Sequence, residues 1–291
     1  MAKEQLFGCG TALVTPFTTD GVDYQAYRSL LQRQFDAGIH FLVALGTSAE
    51  TACLTSEEKC EILRITMEMA GDTKVIAGAG CYSTAATIET IKMLEPYDPF
   101  GYLIVTPYYN KPTQEGLYQH FKAVAESTSK PIVLYNVPGR TGINLNAETT
   151  LRLAEIPNII AVKEASANYS QIYTIIRNAP EGFSVFSGND DETFPLMMSG
   201  AKGIISVASN IAPKMMVSLV EHIRKNETAD ALDLNKRLWP LFKNCFVESN
   251  PIPVKAGLYK MGLMQNIMRL PLTSASEKTM ALMEMTVKGL Y

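Results

Sequence analysis

The chain has 291 residues, of which 47% are apolar and 19% are charged, and its net charge is −3. A chain of this length and composition can bury a large core as one α/β domain. It has neither the basic stretches of nucleic-acid-binding proteins nor the roughly 20 apolar residues of a membrane-spanning helix. Its five scattered cysteines and a start without a signal-peptide pattern are typical of a reduced, intracellular protein. We therefore expect a cytoplasmic protein with neither a nucleic-acid nor a membrane partner.

Short runs rich in valine and isoleucine recur at regular intervals along the chain. They are almost continuously apolar, which is typical of strands buried on both faces of a parallel sheet. The predicted strands span 10–17, 41–45, 74–80, 101–108, 131–137, 159–165, 183–188 and 203–209.

Helical patterns alternate with these runs. The segment 55–71 opens with a capping-box pattern, Thr55 to Glu58. The other predicted helices span 24–38, 84–94, 113–127, 147–156, 168–178, 190–199 and 213–225. Eight strand–helix repeats predict a closed (β/α)8 TIM barrel of the α/β class. A doubly wound open sheet is the alternative, but no glycine-rich dinucleotide fingerprint follows the first strand.

The barrel is predicted to occupy residues 1–225, and residues 226–291 a C-terminal extension of three helices. These helices are expected at 228–247, 252–264 and 274–290. The proline-punctuated segment NPIPVK (250–255) joins two of them. The extension is long enough to form an oligomer contact or to cover part of one face of the barrel.

Lys163 is the sharpest chemical signal, because it follows four apolar residues in a predicted interior strand. Lysine is seldom fully buried. Burial disfavours its charged form, and a neutral amine can attack a carbonyl to form a Schiff base. The structural alternative is a buried ion pair, for example between Lys163 and Glu164.

Other candidates lie at the predicted strand ends, where the active sites of barrel enzymes are found. Tyr135 and Tyr109 could move protons, although a tyrosine there could also simply pack. The turn containing Thr47 and Ser48 could hold a carboxylate or could only cap a helix. Arg140 could clamp a carboxylate through its planar fork or could be an exposed loop residue without a role.

Two groups of residues could be mistaken for metal ligands. Asp190 and Asp191 are better explained as helix caps or first-turn acids. The histidines His40, His120 and His222 fall on helices or at helix ends and do not form a ligand cluster. We therefore predict no metal.

Six motifs together resemble those of the dihydrodipicolinate synthase family, within the superfamily that includes N-acetylneuraminate lyase. The resemblance extends from about residue 8 to residue 290, with the motifs in the expected order. They are GTSAE (46–50), TPYYNKP (106–112), YNVPGRTG (135–142), IIAVKEAS (159–166), SGNDD (187–191) and NPIPVK (250–255).

The resemblance implies a lyase of diaminopimelate and lysine biosynthesis. It would condense pyruvate with L-aspartate 4-semialdehyde to give 4-hydroxy-tetrahydrodipicolinate. The pyruvate would be held as an imine on Lys163, without another cofactor. Tyr135 would carry protons, in a hydroxyl relay with Thr47 and Tyr109.

The family pattern also implies the binding residues and the assembly. Ser48, with Thr47, would hold the pyruvate carboxylate, while the carbonyl of Ile205 and the nearby Gly188 would line the same pocket. Arg140 would bind the carboxylate of the semialdehyde. Tyr109 would come from a neighbouring subunit, which implies a homo-oligomer, commonly a tetramer built as a dimer of dimers.

The chain departs from the family pattern in two places. Ala49 stands where the commonest motif, GTTGE, has a glycine, which matters only if that position needs a positive φ. Lysine-sensitive members carry two histidines, an asparagine and a glutamate at their regulatory site. The matching positions here are Ser56, Lys59, Tyr82 and Ala86, which predicts weak or absent inhibition by lysine.

Two other functions are considered. Another pyruvate-Schiff-base lyase, such as N-acetylneuraminate lyase, would use Lys163 and Tyr135 equally, but Arg140 suits the carboxylate of a small acid better than a sugar acid. A non-catalytic pyruvate sensor would be expected to have lost at least one of Lys163, Tyr135, Thr47 and Tyr109.

Overall fold

The computed structural model describes residues 6–290. Its strands are β1 (Gly8–Ala12), β2 (Phe17–Thr18), β3 (Gly21–Val22), β4 (Phe41–Ala44), β5 (Lys74–Gly78), β6 (Gly101–Val105), β7 (Ile132–Asn136), β8 (Ile159–Glu164), β9 (Ser184–Ser187) and β10 (Gly203–Ser206). Its α-helices are α1 (Tyr24–Phe35), α2 (Ser56–Ala70), α3 (Thr84–Leu94), α4 (Gln114–Glu126), α5 (Pro138–Thr141), α6 (Ala147–Ala154), α7 (Tyr169–Asn178), α8 (Thr193–Met198), α9 (Pro213–Arg224), α10 (Thr228–Asn244), α11 (Ile252–Lys260) and α12 (Glu277–Lys288).

Eight of these strands form a closed barrel in the order β1-β10-β9-β8-β7-β6-β5-β4. Every neighbouring pair that is described in residue register is parallel. The predicted (β/α)8 TIM barrel is therefore confirmed, and each of the eight predicted strands overlaps an observed one. None of the described helices combines the length and the apolar character needed to cross a membrane.

The first predicted strand, 10–17, is wrong in its ends. The observed β1 ends at Ala12, and the chain then turns through a proline at position 16. Proline has no N–H to donate to a strand ladder. Past this turn, β2 and β3 form a small antiparallel hairpin that the sequence analysis missed.

The predicted helix ends agree with the structure better than the ends of the first predicted strand. Thr55 and Glu58 form the predicted capping box at the start of α2, and Gly71 (φ 52°) follows its last residue. The helix predicted over 190–199 begins instead with a 3-10 turn, and α8 covers only Thr193–Met198. The three C-terminal helices are observed within their predicted ranges, although the proposed domain boundary at residue 225 stays a prediction.

The described chain divides into two compact units. One comprises residues 6–8 and Ile76–Ile205, and its core includes the fully buried Ile104, Leu134 and Val162. The other comprises Cys9–Val75 and residues 206–290, with Leu42, Leu219 and Phe242 in its core. Lys163 belongs to the first unit, and the GTSAE turn belongs to the second.

Candidate active site

Lys163 and Tyr135 are brought together by strand pairing. The parallel strands β7 and β8 place the two residues opposite one another in register. The Nζ atom of Lys163 lies 4.3 Å from the centroid of the Tyr135 ring. Lys163 is only 5% exposed and Tyr135 6%. The expected burial of Lys163 in an apolar strand is therefore confirmed, with an aromatic ring against its amine.

The Glu164 side chain points away from Lys163, because successive side chains on a strand point to opposite faces. Its carboxylate accepts hydrogen bonds from the Asn136 side chain (3.0 Å), the Ser166 N–H (2.9 Å) and the Gln171 side chain (3.1 Å). Burial raises the pKa of the Glu164 carboxyl above its usual value, against the opposing effect of these hydrogen bonds. The structure thus gives Glu164 a hydrogen-bonded role instead of the ion pair with Lys163 considered from the sequence.

Gly188 directly follows β9, and Ile205 lies in β10. The Gly188 N–H donates to the carbonyl oxygen of Glu164 at 2.7 Å. A Cβ atom at Gly188 would lie 2.9 Å from that oxygen, so the close approach of the two strands requires glycine. Ile204 pairs with Ser187, which places Ile205 and Gly188 one residue further along in the same direction. Gly188 therefore lies beside β8, and Ile205 lies one strand further round the barrel.

Arg140 and Tyr109 are exposed, unlike Lys163 and Tyr135. Arg140 lies in the short helix α5, which begins at Pro138. Tyr109 follows β6 in a left-handed backbone conformation (φ 74°), and 92% of its surface is exposed. A large aromatic side chain that is held out in solvent by an uncommon backbone conformation is available for contact with another molecule.

Thr47 and Ser48 follow β4 in the second unit. They begin a 3-10 turn, Thr47–Ala49, in which Ser48 is buried. The Oγ atom of Ser48 accepts a hydrogen bond from the Asn250 side chain at 3.0 Å. The positive φ of this turn falls on Glu50 (53°) and not on Ala49. The alanine therefore does not occupy a position that requires glycine.

The partners of this turn were not predicted from the sequence. Asn250 and Lys255 both come from NPIPVK, which was interpreted only as a joint between helices. Lys255 forms a fully buried ion pair with Glu50. The signal was present, because Lys255 follows the apolar stretch Ile252–Val254 much as Lys163 follows its own apolar residues.

The family model of the dihydrodipicolinate synthetase family matches residues 5–290. This chain belongs to that family. It is 46% identical to the 4-hydroxy-tetrahydrodipicolinate synthase of Thermotoga neapolitana, over 95% of this chain and 96% of the relative. The crystal structure of dihydrodipicolinate synthase from Thermotoga maritima superposes with a TM-score of 0.97 at 43% identity, covering 99% of this chain and 100% of that one. A protein described as the first monomeric dihydrodipicolinate synthase variant gives the same TM-score, 0.97, at 43% identity, covering 98% of this chain and 97% of that one.

The histidines of this member of the dihydrodipicolinate synthetase family pair with other side chains. The ring nitrogens of His40 and His120 lie 2.8 Å from the Glu221 carboxylate and 2.9 Å from the Thr84 hydroxyl, respectively. The third histidine and two exposed acids form a group whose ligand atoms lie within 4.8 Å of one another, the members being His222, Glu227 and Asp230. Within this group, His222 and Glu227 are hydrogen-bonded at 2.6 Å. That the protein uses no metal stays a prediction.

The acids after β9 were expected to cap a helix or to lie in its first turn; the cap is wrong, and the first-turn position is confirmed. Asn189 occupies the cap position, and Asp190 and Asp191 lie in the first turn of the 3-10 helix that follows. Acids are favoured in a first turn because the exposed backbone N–H groups there carry partial positive charge.

Proposed function

We propose that this chain is a lyase that condenses pyruvate with L-aspartate 4-semialdehyde through a Schiff base on Lys163. The product is 4-hydroxy-tetrahydrodipicolinate, an intermediate of diaminopimelate and lysine biosynthesis. The observation that carries the proposal is the buried Lys163 amine against the Tyr135 ring, in a barrel that the family model matches almost from end to end.

Lys163 is the nucleophile of the proposed reaction. Its neutral amine attacks the C2 carbonyl of pyruvate, and water leaves to give an imine. Loss of a methyl proton converts the imine to an enamine, whose carbon attacks the aldehyde of the second substrate. The amino group of that substrate then displaces Lys163 as the ring closes. Tyr135, the register partner of Lys163, moves protons to and from these groups.

The remaining residues bind and orient the substrates. Ser48, assisted by Thr47, holds the pyruvate carboxylate, and Ile205 contributes its carbonyl near Gly188. These are residues that follow or end barrel strands, and barrel enzymes build their sites from such positions. The proposal includes neither a metal nor a cofactor other than the covalent pyruvate imine.

Arg140 and Tyr109 complete the site. The exposed guanidinium of Arg140 binds the carboxylate of the semialdehyde through its fork. Tyr109 joins the hydroxyl relay of a second copy, which its exposed side chain and left-handed backbone support. The functional form is then a homo-oligomer, at least a dimer and commonly a dimer of dimers, in the cytoplasm.

Chemical trapping tests the imine. The protein is incubated with pyruvate and borohydride, and the peptide that carries Lys163 is examined by mass spectrometry. A reduced pyruvyl adduct is expected on wild type and not on Lys163→Met. Turnover is then measured separately with aspartate semialdehyde and with N-acetylneuraminate. No adduct on wild type contradicts the imine, and turnover of the sugar acid alone contradicts the proposed condensation.

A further inference from the structure

A buried ion pair joins the last residue of the GTSAE turn to α11. The Nζ atom of Lys255 is 2.6 Å from Oε1 of Glu50, and both side chains are 0% exposed. Glu50 closes the turn, because its N–H donates to the carbonyl oxygen of Thr47 at 3.1 Å. The carboxylate paired with Lys255 is therefore attached to the last residue of the turn that contains Ser48.

Other groups also contact the two members of this ion pair. The other carboxylate oxygen of Glu50 accepts the backbone N–H of Arg269 at 3.0 Å. The centroid of the Phe17 ring lies 4.3 Å from the Lys255 amine and 4.5 Å from the Arg269 guanidinium carbon. Arg269 also donates to the carboxylate of Glu58 at 2.6 Å. Burial lowers the pKa of Lys255 to about 8, and the nearby Glu50 carboxylate opposes that shift.

The same C-terminal segment also contacts the turn at Ser48. Asn250 donates its side-chain N–H to Ser48 Oγ at 3.0 Å. An amide NH₂ group can only donate, so the Ser48 oxygen accepts this bond and its own hydroxyl proton is directed to another acceptor. A substrate carboxylate is such an acceptor. The residues from Asn250 to Lys255 thus hold the turn at two points, at Ser48 and at Glu50.

A fully buried ion pair adds little to the stability of the fold, because the cost of taking both charges out of water offsets most of their attraction. Its geometry, however, is more restricted than that of an apolar contact. Because the pair joins Glu50 of the turn to Lys255 of α11, a restricted geometry there determines where the Ser48 hydroxyl points.

We propose that Glu50 and Lys255 are positioning residues, whose ion pair holds the Ser48 turn in place for the carboxylate of pyruvate. The inference rests on the proposed function, since it takes pyruvate as the ligand of that turn. Neither residue touches the reacting atoms, and both act through the placement of Ser48.

The test compares the single variants Glu50→Gln and Lys255→Met with the double variant that carries both. The double variant replaces the pair with neutral side chains of similar size and leaves no unpaired buried charge. Replacement of the partly exposed pair Lys260–Glu284 (2.7 Å) in the same way is the matched control. For each protein, the pyruvate concentration for half-maximal borohydride trapping, the KM for aspartate semialdehyde and the melting temperature are measured.

We expect the double variant to fold with a melting temperature near that of wild type but to need at least tenfold more pyruvate for half-maximal trapping. Trapping at saturating pyruvate should still be complete, and the KM for the semialdehyde should change less than twofold. A double variant that binds pyruvate as wild type does, or one that does not fold, overturns the positioning role. Wild-type protein that is never trapped would instead overturn the proposed function, so the two failures are distinguishable.

Discussion

The Lys163 amine lies 4.3 Å from the centre of the Tyr135 ring, and the two residues face one another across a parallel strand pair. The Tyr135 hydroxyl is carried by the ring that lies beside this amine. Because both side chains are anchored on barrel strands, the amine and the hydroxyl are held by rigid elements, which suits a nucleophile and its proton carrier.

The Tyr135→Phe variant separates these two contributions. It keeps the ring beside Lys163 but removes the hydroxyl. If Tyr135 moves protons, kcat should fall by roughly a hundredfold or more, with the melting temperature little changed. The exposed Tyr173, changed to Phe, is the control. A kcat within twofold of wild type would exclude Tyr135 from the proton transfers.

Arg140→Met should impair the second substrate selectively. Loss of the guanidinium fork is expected to raise the KM for aspartate semialdehyde at least tenfold and to leave the KM for pyruvate within twofold. Arg140→Lys should recover only part of this, because an ammonium group does not bind a carboxylate in bidentate fashion. The control is Arg152→Met, which changes an exposed arginine on a different helix, α6. Equal effects on both substrates would contradict the assignment.

Glu164→Gln should destabilise the fold although it preserves the size of the side chain. Both carboxylate oxygens accept hydrogen bonds, one from Ser166 and the other from Gln171. An amide would turn an NH₂ donor towards one of these donors, which costs about 1–3 kcal/mol. Denaturant unfolding measures this free energy. A variant as stable as wild type would mean that the hydrogen bonds to Glu164 contribute little.

His120 should make the protein acid-sensitive. Burial lowers its pKa from 6.5 to about 4. Between these pH values the unfolded chain binds the proton more readily, so the free energy of unfolding falls as pH decreases through this window and is unaffected above it. Relative to His120→Gln, wild type should lose up to about 3 kcal/mol between pH 6.5 and pH 4. Parallel pH–stability curves for the two proteins would disprove the shift.

Lysine should inhibit this enzyme weakly or not at all. At the positions that match the regulatory site of lysine-sensitive relatives, Ala86 stands in place of an acid and Lys59 adds a positive charge. An incoming amine therefore loses an ionic partner and meets a like charge. Initial rates are measured at fixed pyruvate with increasing lysine. A clear loss of activity below millimolar lysine would refute this prediction.

The sequence alone determined the architecture of the protein. Eight apolar, β-branched runs alternating with amphipathic segments predict a closed parallel barrel, because such runs need burial on both faces. The same reasoning selected Lys163, since a lysine within a run of apolar residues in an interior strand is uncommon. These features are local, so they can be recognised in a single sequence.

Only the tertiary structure decided which side chains become partners. Glu164 follows Lys163 in the chain, yet it is bonded to Asn136 and Gln171 on the opposite face of the strand. Lys255 and Asn250 are about 200 residues from the GTSAE turn, yet they contact it at Glu50 and at Ser48. Hydrogen bonds and ion pairs act over a few ångströms, so which residues share one depends on how the chain packs and not on their spacing in sequence.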